Sequence, residues 1–211
     1  KEGLNTLSIH AQSPEGLAGS IITREIILDT TPPAVLSSEP GNNVVINRPI
    51  ESISITLFEE STDIDATATF ASAGVTLNDI TSVPGTWSLN QNLAVFTPGI
   101  TPLVEGEYTI SLHPTDTPLG NTAAAGISFT IDFTQPAAPA LDPVTSPTNI
   151  NVQTITGTKE SHSSVWINGV AAVPADSLET WSYQVSLTTE GANEFTIFTR
   201  DAAGNKSGQT P

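Results

Sequence analysis

Three stretches of the chain repeat one another, and that repeat limits the folds open to it. "EGLNTLSIHAQSPEGLAGS", from Glu2, aligns without a gap on "EGANEFTIFTRDAAGNKSG", from Glu190. Gly3 falls on Gly191, Asn5 on Asn193, Ile9 on Ile197 and Gly16 on Gly204. "EGEYTISLHPTDTPLGNTA", from Glu105, is a third copy, two residues shorter before its strand and three longer before its glycine. The segments after the first two copies in the chain also agree: "REIILDTTPP" and "GISFTIDFTQP" are each a β-forming run followed by an Asp-Thr-Pro linker. "GTWSL" and "ETWSY", around Trp87 and Trp181, are a further echo. Self-similarity of this kind marks a supersecondary unit used repeatedly, here a closing hairpin.

The runs alternate. Tyr108, Ile110 and Leu112 share one face, with Glu107, Thr109 and Ser111 on the other. Ile53, Ile55 and Leu57 fall together, as do Ile127, Phe129 and Ile131, and Trp181, Tyr183, Val185 and Leu187. A period of two is the mark of half-buried antiparallel strands. The nearest helical rival, "IDATATFASAG", is weakened by its Thr residues and Gly74. With 16 Pro and 15 Gly punctuating the runs, an all-β chain of antiparallel β-sandwiches is expected. Residues 1–31 read as the last hairpin of one module, 32–134 as a complete module, and 135–211 as a module lacking its last strand. The sequence lacks Met, so a segment of a longer protein is expected. That its ends are out of phase with the modules leaves three explanations: a cut made without regard to them, a last strand present but disordered, or strand exchange in which the first hairpin of one chain completes the third module of another.

Charge narrows the partners. Six Lys and Arg against 22 Asp and Glu give a formal charge of -16. Nucleic acid is disfavoured, because a phosphate backbone needs a basic footprint. Electrostatic binding to anionic membranes is disfavoured equally, and no apolar run approaches the roughly 18 residues needed to cross a bilayer. The absence of Cys removes disulfides, thiol chemistry and Cys-based zinc sites.

The middle module resembles the bacterial Ig-like domains of S-layer and surface proteins through "PPAVLSSEPGNNVVI", "SISITLFEEST", "LAVFTPGITPLVEGEYTISL" and "PLGN" before "ISFTID". The third module is similar to the Ig-like type of large bacterial adhesins and of accessory modules in glycoside-active enzymes, through "INVQTITGT", "VWINGV", "WSYQVSL" and "EGANEFTIFTRDAAGN". The resemblance implies tandem Ig-like sandwiches of Greek-key topology that serve as extracellular spacers or binding modules. The middle turn "HPTDTPLGN" departs from "TRDAAGN" in length.

The Asp-x-x-Gly-Asn turn is the main candidate site. Asp201, Gly204 and Asn205 are accounted for by hairpin geometry, since Asp folds back on backbone N–H groups and Gly or Asn supplies positive φ. A functional reading uses topology. In a seven-strand sandwich the turn between strands six and seven lies at the end where the chain enters. Asp201 and Asn205 are then expected near Asp132, and Asp116 and Asn121 near Asp29. Calcium takes six to eight oxygens, and these residues are candidate ligands. Stiffening of a junction by calcium is what the resemblance to calcium-dependent adhesins implies.

Other groups carry less. Glu59, Glu60, Asp63 and Asp65 in "FEESTDIDAT" suggest a solvated loop or weak cation site rather than a glycosidase pair. His10, His113 and His162 are scattered, and no nucleophile has a visible base. No enzyme is expected. Trp87 and Trp181 are expected in cores. Trp166 and Phe198 lie out of phase with their neighbours and are expected outward, where Trp166 could stack on a sugar or a protein. The expected function is a stalk of tandem Ig-like modules at the bacterial cell surface or outside the cell, partnered by neighbouring modules and by an unidentified protein or glycan. The alternatives are a carbohydrate- or host-protein-binding module and an accessory domain of a polysaccharide-active enzyme.

Overall fold

The computed structural model describes residues 1–210. In chain order the strands are β1 (Gly3–Ile9), β2 (Ile22–Leu28), β3 (Ala34–Glu39), β4 (Val44–Ile46), β5 (Ile53–Phe58), β6 (Asp63–Ile64), β7 (Gly74–Leu77), β8 (Thr81–Ser82), β9 (Gly85–Asn90) and β10 (Leu93–Pro98). They continue with β11 (Gly106–Leu112), β12 (Asp116–Thr117), β13 (Ala125–Ile131), β14 (Ala140–Leu141), β15 (Val152–Thr158), β16 (Ser164–Ile167), β17 (Val170–Val173), β18 (Thr180–Ser186) and β19 (Ile197–Arg200). A helix, α1 (Ala66–Phe70), falls in the segment where Thr and Gly74 argued against one. It survives as five residues because Asp65 caps it, its Oδ1 accepting from Ala68 N at 3.0 Å.

Two sheet orders identify the fold. One is β3-β5-β10-β9 and the other β4-β13-β11-β7-β8. In Ig terms these are the A-B-E-D and A′-G-F-C sheets of a Greek-key sandwich. Strand β4 runs parallel to β13, from Phe129↔Val44 to Ile131↔Ile46, whereas β5 with β10, β9 with β10 and β7 with β11 are antiparallel. A second pair of sheets, β14-β15-β18 and β17-β16-β19, corresponds to A-B-E and C′-C-F. The chain is thus all-β and Ig-like.

By contacts the chain divides into two compact units. The first comprises residues 1–43, 50–103 and 108–128. Ile53, Ile55 and Leu57 of β5 are fully buried, and opposite them Ala94 and Phe96 of β10 pair with Ile55 and Ile53. Tyr108, Ile110 and Leu112 of β11 and Val75 of β7 are buried as well. Trp87 is half-buried, its ring 5.2 Å from Phe70 and 5.1 Å from Phe96. The hairpin β1–β2 in this unit differs. Its seven paired positions place Leu7, Ile9, Ile22, Ile26 and Leu28 on one face, and each is at least 43 % exposed.

The second unit comprises residues 44–49, 104–107 and the chain from Phe129 onward. Ile155, Val165, Ile167, Trp181, Val185 and Ile197 form its core, none more than 6 % exposed. Tyr183, expected on the same face as Trp181 and Val185, is exposed. Lys159 is buried at the edge of this core, its Nζ 2.9 Å from Asp176 Oδ1 and donating to Leu178 O at 2.7 Å. Gly157 of β15 leaves no room for a side chain: an added Cβ would strike the Ala140 carbonyl and come within 3.0 Å of Trp181 Nε1. Backbone cannot swing aside as a flexible side chain can. Gly157→Ala is therefore expected to lower stability by about 1–3 kcal/mol, measured as a shift of the urea midpoint at constant slope.

Candidate junction sites

The Asp-to-Asn turn closes on itself in both complete copies. Asp201 Oδ1 accepts from Asn205 N at 2.9 Å and Oδ2 from Asn205 Nδ2 at 3.0 Å. Gly204, at φ +89°, makes the reversal. In the other turn Asp116 Oδ1 accepts from Asn121 N at 2.9 Å and Oδ2 from Asn121 Nδ2 at 2.7 Å. Gly120, at φ +79°, stands in the equivalent place. The three extra residues of the middle turn leave this arrangement unchanged.

Each Asn amide carries a second hydrogen, and it reaches the linker. Asn205 Nδ2 donates to Asp132 O at 2.9 Å. Asn121 Nδ2 donates to Asp29 O at 3.2 Å. The two sets, Asp116–Asn121–Asp29 and Asp201–Asn205–Asp132, share one geometry. Asp116 and Asp29 are buried, while Asp132, Asp201 and Asn205 are half-buried. Asp29 Oδ2 also accepts from Thr62 Oγ1 at 3.2 Å.

The structure adds a residue that served in the sequence only as an alignment anchor, the Glu that opens each copy. Glu2 accepts from Thr30 N at 2.7 Å, Thr30 Oγ1 at 3.0 Å and Thr31 Oγ1 at 3.3 Å. Glu105 accepts from Thr134 Oγ1 at 2.7 Å and Thr134 N at 3.2 Å. In both linkers the Asp folds onto the same Thr, Thr31 N reaching Asp29 Oδ1 at 3.1 Å and Thr134 N reaching Asp132 Oδ1 at 2.9 Å. The backbone N–H of Thr30 holds Glu2 below the usual carboxylate range, and the Thr134 hydroxyl does so for Glu105. Burial pushes Asp132 up; the Thr134 N–H opposes this, and Glu105 and Asp201 reinforce it.

These oxygens suit calcium chemically, since carboxylates and a backbone carbonyl are its usual donors. As they stand, the carboxylate oxygens of Asp116 and Asp201 accept from Asn amides, so a cation would have to displace those bonds. Among the described residues, no three acidic or His side chains are grouped so as to hold a metal ion.

The remaining candidates have local partners. Glu59 Oε1 accepts from the N–H groups of Glu60 and Ser61, Asp63 belongs to β6, and Asp65 caps α1. His10, His113 and His162 are exposed. Phe198, expected outward, is buried. Trp166, also expected outward, is half-buried because Phe198 stacks on it at 5.9 Å and the Arg200 guanidinium lies 4.5 Å over its ring. Lys206 lies 4.0 Å over Phe198. Two of the six basic residues thus cover this aromatic pair.

Loss of either Asn amide leaves a linker carbonyl and a turn carboxylate short of a donor. Asn121→Ala and Asn205→Ala are each expected to cost about 1–3 kcal/mol, read from chemical denaturation. The raised proton affinity of Asp132 has a definite sign. Folding raises its pKa, so its ionised form weakens the fold as pH rises through the carboxylate range. Asp132→Asn, which keeps the oxygen that accepts from Thr134, is expected to melt higher than the parent at neutral pH. That advantage should disappear as pH falls and the parent Asp132 takes up its proton. Melting temperatures across a pH series measure it.

No family model matches the chain, and no curated protein does. Among solved structures it is similar to fibronectin(III)-like modules of CbhA from Clostridium thermocellum, at 16% identity over 84% of this chain and 90% of that one, with a TM-score of 0.49. It is also similar to CopC from Methylosinus trichosporium OB3b, at 10% identity over 47% of this chain and 93% of that one, with a TM-score of 0.40. A third is the N-terminal part of the bacterial S-layer protein SbsC, at 16% identity over 85% of this chain and 43% of that one, with a TM-score of 0.35. The Ig-like assignment stands on the strand order and registers of the chain itself.

Proposed function

We propose that this chain is a structural spacer, a tandem of Ig-like modules from a secreted or bacterial cell-surface protein of the adhesin or S-layer kind. The observation that carries this reading is the repeated fixing of a linker. Each linker is held by an Asn amide from a closing turn and by a Glu carboxylate from the head of a closing hairpin. A flexible tether has no use for such bonds, whereas a spacer that holds its modules at set positions does. Pro32, Pro33 and Pro136 add to this by restricting φ in the same linkers. The half-covered Trp166 offers less to a sugar than a free indole face would, which favours a spacer over a carbohydrate-binding module. Catalysis has no part in the proposal.

Limited proteolysis tests the fixed linkers. Cleavage within residues 29–33 and 132–136 is expected to be slow in the parent chain. It should accelerate selectively at the first linker in Asn121→Ala and at the second in Asn205→Ala. Rapid cutting of both linkers in the parent would overturn the spacer reading, as would a glycan-array signal lost in Trp166→Ala.

Calcium is the finer part of the proposal. Asp132, Asp201 and Asn205 would hold it beside one linker, and Asp29, Asp116 and Asn121 beside the other. It would neutralise the carboxylates that now push up the Asp132 pKa. Free calcium a hundredfold above Kd is expected to stabilise by about 2.7 kcal/mol per site, seen as a higher melting temperature than in excess chelator. An unchanged melting temperature removes calcium and leaves the spacer standing.

A further inference from the structure

We propose that the outer face of the sheet β17-β16-β19 is a docking site for an extended, acidic segment of a different protein, whose carboxylates pair with Arg200 and Lys206. The site goes beyond the spacer reading and does not rest on it. Val165 and Ile167 of β16 belong to the core, so Trp166 between them stands on the outer face. Ser164 and Trp166 lie opposite Arg200 and Phe198 of β19. Trp166 stacks on Phe198 at 5.9 Å, and the Arg200 guanidinium lies 4.5 Å from the Trp166 ring and 5.8 Å from the Phe198 ring. Lys206 Nζ is 4.0 Å from the Phe198 ring. Ser164 Oγ ties the stack together, accepting from Trp166 Nε1 at 3.1 Å and donating to Arg200 O at 3.1 Å. The face is thus formed before any partner arrives.

The two charges lack counter-ions. Asp and Glu number 22 against six Lys and Arg, yet among the described residues neither Arg200 nor Lys206 pairs with a carboxylate. Lys159, by contrast, has Asp176 at 2.9 Å. Asp201 is next to Arg200 in sequence, but its carboxylate oxygens accept from Asn205. Arg200 Nε is buried with no acceptor among the described residues. Ring stacking rather than hydrogen bonding therefore fixes the guanidinium. A cation partly withdrawn from water gains more from a carboxylate than a solvated one does. Both side chains are half-buried, so each keeps part of its surface open to a ligand. Lys206 faces Arg200 across a backbone bridge, and the chain then runs to Thr210 opposite Ile197, leading away from both charges.

The geometry selects among anionic partners. A sugar needs a free indole face, and here the guanidinium and Phe198 lie against it. A polyphosphate needs a larger basic footprint than two cations, and it would meet a chain of formal charge -16. Carboxylates on alternate residues of an extended segment project from one side about 7 Å apart. That spacing suits two cations resting against a single ring, and the forked guanidinium can take one carboxylate with two donors. A second copy of this chain also offers carboxylates, but two bodies of charge -16 repel each other. A short acidic segment of a different protein is free of that constraint.

A synthetic peptide of alternating Glu and Ser serves as the probe against the whole chain. It is expected to bind one-to-one by calorimetry, to shift the Trp166 indole resonance, and to lose affinity as salt rises. The same peptide with Gln in place of Glu should not bind. Arg200→Gln and Lys206→Gln should each weaken binding about tenfold, with circular dichroism spectra unchanged. Arg200→Lys, which keeps the charge without the fork, should fall between the parent and Arg200→Gln. Lys206→Gln, whose head rests only on a ring face, keeps the test intact where Arg200→Gln disturbs the stack. No binding of the Glu peptide at millimolar concentration, equal binding of the Gln peptide, or an unchanged affinity in Lys206→Gln would each overturn the site. An oligouronate that binds more tightly than the Glu peptide would replace the polypeptide with an acidic glycan and overturn the assignment of the partner. Concentration-dependent self-association that the Glu peptide dissolves would replace the foreign segment with a second copy and overturn it equally.

Discussion

Two hydrogens on one amide nitrogen tie each Asp-x-Thr linker of this chain to a closing turn. The Nδ2 group of Asn205 gives one to the carboxylate of its own turn and one to the Asp132 carbonyl, and Asn121 does the same with Asp116 and Asp29. A half-buried carbonyl at the start of a linker needs a donor, and here the donor belongs to a hairpin distant in sequence. The hairpin turn and the linker are thus held by the same side chain. Neither Asp nor Ala could do this, the first lacking donors and the second lacking polar atoms.

Around that bond the carboxylates are arranged in opposite senses. Glu2 and Glu105 are stabilised as anions by Thr donors, whereas Asp132 is burdened by burial and by like charge. On a chain with formal charge -16, holding acidic groups close together works against stability and is offset here by hydrogen-bond donors. The Thr in each Asp-x-Thr linker contributes to that offset. The aromatic pair Trp166–Phe198 shows the reverse economy of charge, with Arg200 and Lys206 placed on ring faces rather than on carboxylates.

Much of this was legible in the sequence. Period-two alternation located the strands of the first unit's core, because Ile53, Ile55, Leu57, Tyr108, Ile110 and Leu112 each repeat at every second residue and each is buried. It misjudged Tyr183 and Phe198, since which neighbours cover a position is not contained in its period. The short helix α1 escaped because its stability comes from the Asp65 cap and its surroundings rather than from the propensity of Thr. The parallel pairing of β4 with β13 escaped because no local pattern distinguishes which neighbour a strand will take.

The sequence by itself determined that the chain is all-β, that its hairpin recurs, and that Asp and Asn of the turn belong together, since turn chemistry and side-chain alternation are local properties. Only the tertiary structure decided that Asn121 and Asn205 reach the linker carbonyls and that Glu2 and Glu105 hold the linker Thr residues. Those bonds join residues far apart in the chain, and their partners are chosen by how the sheets stack rather than by any pattern along the sequence.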